Sequence, residues 1–170
     1  EGRYSIALKA KAVLIEGNLS DLLWDMYLYR YTLQKVVDVL WDLDKLPTVS
    51  QAHQMFYKML REQYSFRAHQ AKQIYKYALA LVKAARRSNG SKPIVRKMST
   101  RLDRYDARVD LKNMVIEIIV REKRYSLKIL HDRDYVKKFL GRKWYEVVVK
   151  YENGSLWVSI PFEFDYHPYR

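Results

Sequence analysis

The chain has no cysteine, four histidines, five glycines and four prolines. Without cysteine there are no disulfides, no thiolate zinc sites and no cysteine nucleophile. His53, His69, His131 and His167 stand with none at a metal-ligand spacing from another, so no metal site is expected. No glycine-rich phosphate loop occurs and nothing calls for a cofactor. The sequence also lacks a run of about 18 uncharged apolar residues, the length a membrane span needs, and its beginning lacks a secretory pattern. A cytoplasmic, intracellular protein is expected. The most informative gap is acidic: after Glu62 the next carboxylate is Asp103.

What is present is enough for a core. The 170 residues are 49% apolar and 14% aromatic, and the net charge is +13. That charge is unevenly placed. Residues 1–57 carry six Lys and Arg against seven Asp and Glu, residues 58–150 carry 25 against nine, and residues 151–170 carry one against three. The excess therefore falls in the middle of the chain, which predicts a basic surface for a polyanion there.

The stretch 65–97 joins a helical half to a strand-rich half. Ser65 as N-cap, Gly90 as a left-handed terminator and Pro93 as a block predict a helix over about 66–88. At about 100° per residue, Ala71, Ile74, Ala78, Leu81 and Ala85 share one face and Lys72, Lys76, Lys83 and Arg87 the opposite one. Upstream, Tyr4 to Leu14 alternates with the period of a half-buried strand. A long helix follows to about Leu43, capped by Asn18 or Ser20, with Leu22, Met26, Tyr29, Leu33, Val36, Leu40 and Leu43 as its main stripe. A second helix starts at a Thr48–Gln51 capping box and ends near Tyr64. Short connections favour an antiparallel bundle of the three. A lone opening strand needs partners from the C-terminal half, so the helices are expected as an insertion into a sheet or barrel.

From Ile94 the period becomes 2. Tyr105 alternates with Ala107, Val109 and Leu111, which reads as the core side of a strand. Strands are expected at 116–120, 125–130, 144–151 and 156–164, with a type I′ hairpin at Asn153-Gly154 and a weaker turn at Lys112-Asn113. The segment 132–140 reads as a short helix stopped by Gly141, and Pro161 should mark an edge or an end of the last strand. His131-Asp132-Arg133-Asp134 reads as a helix cap with ion pairs rather than an active site. No carboxylate pair or nucleophile with its base can be assembled, so catalysis by this chain alone is not expected.

Nucleic acid is the expected partner. The candidate contacts are Lys72, Lys76, Lys83, Arg86, Arg87 and Lys92 on the helix and its exit, then Arg96, Lys97, Arg101, Arg104 and Arg108 on the strands. Because the chain turns from helix to strands within Asn89–Pro93, both sets are expected to line one shared groove.

The order of elements carries a resemblance. An opening strand, a helical insertion, LPT followed by SFRAHQAKQIYKYALALVKAARR, the basic exit GSKPIVRK, the strand pair RLDRYDARVDLKN and the closing KWYEVVVKYENGSLWVSIPFEF together resemble the N-terminal half of TnpB, the insertion-sequence-encoded RNA-guided nucleases. The resemblance implies an α+β fold, a wedge-like, OB-like β-barrel formed by 1–16 and 92–166, with an inserted recognition-like helical domain at 17–91. Family members continue into a RuvC-like nuclease. Residues 165–170, DYHPYR, lack the expected Asp-Leu-Gly strand, so Asp165 receives no catalytic role. The resemblance then implies the wedge and recognition part, with 167–170 a tail toward a nuclease domain acting in cis or in trans. A protein-interaction or dimerisation scaffold is the alternative, resting on the wide apolar arc that Leu23, Trp24, Tyr27, Tyr31 and Trp41 add to the first helix.

Overall fold

A computed structural model describes residues 2–166; the tail 167–170 expected to lead toward a nuclease lies outside the described residues. The architecture is α+β, a seven-stranded antiparallel sheet curled into a half-barrel with four helices. The chain runs β1 (Gly2–Glu16), α1 (Leu19–Trp41), α2 (Val49–Glu62), α3 (Ala68–Arg87), β2 (Met98–Asp103), β3 (Ala107–Asp110), β4 (Val115–Val120), β5 (Lys123–Leu130), α4 (Arg133–Lys137), β6 (Glu146–Glu152) and β7 (Ser155–Tyr166). No helix among the described residues is long and apolar enough to cross a membrane.

The sheet order is β2-β6-β7-β1-β5-β4-β3, which puts the first strand in the middle. At 15 residues β1 is long enough to serve two partners: Gly2 to Ala12 pair with β7 and Lys11 to Glu16 with β5, with an irregularity between Leu14 and Glu16. Alternation divides its side chains. Leu8, Ala10 and Ala12 enter the core within the sheet, joined by Ile116, Ile118, Leu127, Val147, Val158, Ile160 and Phe162, while Lys9 and Lys11 point to the other face. Gly17 then turns the chain into α1. Its φ is +103°, and a Cβ there would sit 2.7 Å from the Tyr125 ring.

Asn18 caps α1 by accepting from the Asp21 N–H, and α1 spans both cores. Leu22 and Met26 close the sheet core; Tyr29, Leu33, Val36, Val37 and Leu40 belong to a second core shared with Ala52, Phe56 and Leu60 of α2 and Ala71, Ile74, Ala78 and Val82 of α3. The Thr48–Gln51 capping box at α2 forms as the sequence indicates, a feature worth about 1 kcal/mol.

Several local expectations are corrected. Ser65 does not cap α3: it adopts φ +58°, and the helix starts after Arg67 with no side-chain cap. The left-handed terminator is Asn89 (φ +54°) rather than Gly90. The N–H of Gly90 bonds the carbonyl of Ala85 and that of Asn89 the carbonyl of Arg86, which is a Schellman closure. Tyr105 is not a core residue. It sits in the turn between β2 and β3, is 72% exposed and stacks on His69. Pro161 does not end β7, which runs on to Tyr166 between β6 and β1, but the strand is an edge at that point as expected. The ladder to β6 lapses at Ser159, leaving an isolated bridge from Trp144 to Phe162, so the missing N–H falls where that side has no continuous partner. At the hairpin, Asn153 (φ +51°) and Gly154 (φ +79°) make the type I′ turn.

Candidate nucleic-acid interface

The Asn153-Gly154 turn fixes register, and register assembles a site. Lys150 pairs with Trp157 across the hairpin; Ser99 of β2 pairs with Lys150, and Lys11 of β1 pairs with Trp157. The row Ser99, Lys150, Trp157, Lys11 therefore crosses four strands on one face. Beside it runs a second row, Arg101, Val148, Ser159 and Lys9. Lys11 holds its ammonium 5.4 Å from the centre of the Trp157 ring.

Opposite this face stand α1, α3 and the segment from Pro93 to Lys97, and between them lies a groove of about 850 Å³. The segment is fastened to α1. Gln34 donates to the Pro93 carbonyl at 3.1 Å and accepts from the Val95 N–H at 2.7 Å, while Arg30 donates to the Arg96 carbonyl. Lys9, Arg96, Lys97, Arg101 and Lys150 line the groove against one carboxylate, Glu152. Lys150 lies 3.5 Å from Glu152; among the described residues Lys9, Arg96 and Lys97 have no acidic partner.

Arg101 is held more firmly. It makes a double contact with Glu146 at 3.0 and 3.2 Å and lies 4.5 Å over the Tyr77 ring. Burial opposes its charge, but Tyr77 and Glu146 outweigh burial and push its pKa up. Tyr29 forms part of the wall and is 1% exposed, and burial pushes its phenol well above the usual value. Its hydroxyl comes toward the Arg101 backbone without closing a hydrogen bond of ordinary geometry.

The expected residues divide among several surfaces. Arg96, Lys97 and Arg101 line the groove. Lys72, Lys76, Lys83 and Arg87 do not. α3 turns Tyr77 and Leu81 to the groove, and the basic stripe lies roughly 130° around the helix from them at about 100° per residue. The shared groove expected for helix and strands is thus replaced by two separate basic faces.

Arg86 leaves the set of candidate contacts, because its guanidinium donates to the carbonyls of Leu40, Trp41, Leu43 and Asp44 and closes the exposed C-terminal end of α1. Lys92 pairs with Asp38 at 3.1 Å, Arg108 lies 3.8 Å from Glu117, and Arg104 lies over Trp144.

Lys9, Lys11, Lys150 and Trp157 escaped sequence reasoning. The signal was present in the hairpin, since a two-residue Asn-Gly turn places Lys150 opposite Trp157; what the sequence did not carry was β1 as the neighbour of β7. The described histidines pack on neighbouring rings or pair with polar groups. His53 bonds the Tyr75 hydroxyl at 2.7 Å, His131 stacks on Tyr135, and Asp132 caps α4 through the Tyr135 N–H. No protein-family model and no curated protein matches this chain.

Proposed function

We propose that this chain is a nucleic-acid-binding region of a TnpB-like transposon protein, holding guide RNA and its target, or adjacent DNA, through backbone charge and shape. The observation that carries the reading is the groove on which Lys9, Arg96, Lys97, Arg101 and Lys150 converge around a single lining carboxylate. Three of them, Lys9, Arg96 and Lys97, have no acidic partner among the described residues, and unmatched cations gathered in a cleft raise the local potential toward phosphate more than the same charges mixed over a surface. On this reading the curled sheet is the wedge-like, OB-like barrel of 1–16 and 92–166, and 17–91 is the inserted recognition bundle. Cleavage belongs to a nuclease domain in cis or in trans.

Anisotropy titration of a labelled RNA and a labelled DNA duplex over a salt series tests the charge reading. Affinity should fall steeply with salt, by about 0.7 to 0.9 in log K per log salt for each phosphate contact. Absent binding at low salt, or binding indifferent to salt, removes the proposal.

A second reading, protein docking through α1, is favoured by one feature. Trp24, Tyr27 and Tyr31 are 56%, 38% and 45% exposed and stack in sequence along the helix. Exposed rings in a row mark an interaction surface more often than isolated ones do. Sedimentation velocity over a concentration series should then show self-association that Trp24→Ser abolishes; a monomer at every concentration rules out the self-docking form.

A further inference from the structure

We infer that the groove between α1, α3 and the sheet takes an unpaired stretch of nucleic acid, with one base seated against Trp157 near the Tyr29 hydroxyl and its phosphates on Lys9, Arg96 and Lys97. The inference rests on the nucleic-acid reading and narrows it to a single strand.

Three observations converge. The first is size. About 850 Å³ falls within the roughly 300–1,000 Å³ of small-ligand sites, room for a few nucleotides rather than a double helix. The second is what lines the walls. Leu33, Leu81, Ile94, Tyr77 and Trp157 line the groove together with Lys9, Arg96 and Lys97, cations without acidic partners among the described residues. A duplex offers phosphates outward and hides its base faces; an unpaired strand offers both, and each base has a face for an aromatic ring. The third is the Tyr29 hydroxyl, a buried group able to donate and accept on a residue that lines the same groove, turned toward the Arg101 backbone without a hydrogen bond of ordinary geometry. A base edge that reached this part of the wall would complete its hydrogen bonding.

Lys11 fits the same arrangement. Its ammonium rests over the Trp157 ring, and a base stacking there would displace it toward the phosphate beside that base.

The test uses the whole chain with a labelled pyrimidine 12-mer, as DNA and as RNA, and a hairpin duplex carrying the same number of phosphates. The single strand should bind more tightly than the hairpin. Trp157→Ala should weaken the single strand by about tenfold or more while leaving the salt slope unchanged, because stacking rather than charge is lost. Trp157→Phe should retain most of the affinity, and Tyr29→Phe should lose several-fold on the single strand alone. Equal binding of strand and hairpin, with Trp157→Ala without effect, overturns the single-strand inference and leaves the charge reading standing. Failure of both probes to bind at low salt removes the charge reading itself. Because Trp157→Ala could unfold the sheet, photocrosslinking of a 5-iodouridine 12-mer to the unaltered chain gives a second readout. Adducts should map to Trp157, Tyr77 or Tyr29, and adducts confined to the outer face of α3 overturn the inference.

Discussion

Asp106 is the residue whose charge the fold opposes most plainly. Its side chain is 1% exposed; Oδ1 accepts from Arg67 at 2.6 Å, and Oδ2 has no partner. Burial pushes its pKa above the ordinary carboxylate value, with Arg67 pulling the other way. An acid that holds its proton more tightly when folded makes stability fall as pH rises. The loss begins near the unfolded value of about 3.9 and is complete above the raised folded value. Asp106→Asn removes that loss. Its melting temperature should equal or exceed the parent's at pH 7, and the difference should close as pH falls below about 3.9, where both side chains are neutral. Thermal melts by circular dichroism across that range check it. A variant that melts lower by the same margin at both ends would show that the Arg67 contact outweighs burial.

The elements show which parts of the chain were legible. Segments whose local chemistry agrees with their packing were read within a few residues: the Thr48–Gln51 cap, the Asn153-Gly154 turn and the alternation of β4 all act through neighbours in sequence. Tyr105 was misplaced because alternation continues in the sequence through a turn, and only the pairing of Ala107 with Ile118 shows where β3 begins. Arg86 was misread for a different reason: an arginine in a basic run looks like its neighbours until the carbonyl end of another helix is placed against it.

This separates two variants of α3. Arg86→Ala should cost about 1.5–3 kcal/mol, the range for hydrogen bonds made by a charged group, and leave nucleic-acid affinity per folded molecule unchanged. Replacing Lys72, Lys76, Lys83 and Arg87 together by Gln should leave stability nearly unchanged, because their face is not the core and Gln suits a helix. It should reduce the salt slope for the hairpin duplex more than for the single strand, whose contacts lie in the groove. Urea denaturation and salt titration distinguish the outcomes, and equal loss of slope on both probes would return the stripe and the groove to one binding surface.

At the scale of the molecule, α1 and a few polar ties join two cores. The sheet core ends at Leu22 and Met26, and the helical core begins at Tyr29. Between them lies the buried carboxylate of Asp25, which accepts from Arg121 at 2.8 Å and from the Tyr125 hydroxyl at 2.7 Å. Arg121 also donates to the Tyr64 carbonyl, and Gln70 of α3 closes the junction by bonding the Ile119 carbonyl and the Arg121 N–H. None of this was legible in the sequence, since Asp25 and Tyr125 are 100 residues apart and neither stands in a motif.

The arrangement has a measurable consequence. Asp25→Ala leaves the Arg121 charge and the Tyr125 hydroxyl unpaired at a largely buried site, so it should cost about 3–5 kcal/mol, whereas Tyr125→Phe removes one hydrogen bond and should cost about 1–2 kcal/mol. If these ties make the two cores one cooperative unit, far-UV dichroism and tryptophan fluorescence should give coincident urea transitions in the parent chain, since Trp41 packs on the helical core and Trp144 on the sheet core. Asp25→Ala combined with Gln70→Ala should separate the transitions, the helical signal being lost first because the sheet keeps its ladder around β1. A double variant that still unfolds in one coincident step would place the coupling in α1 itself rather than in the polar junction.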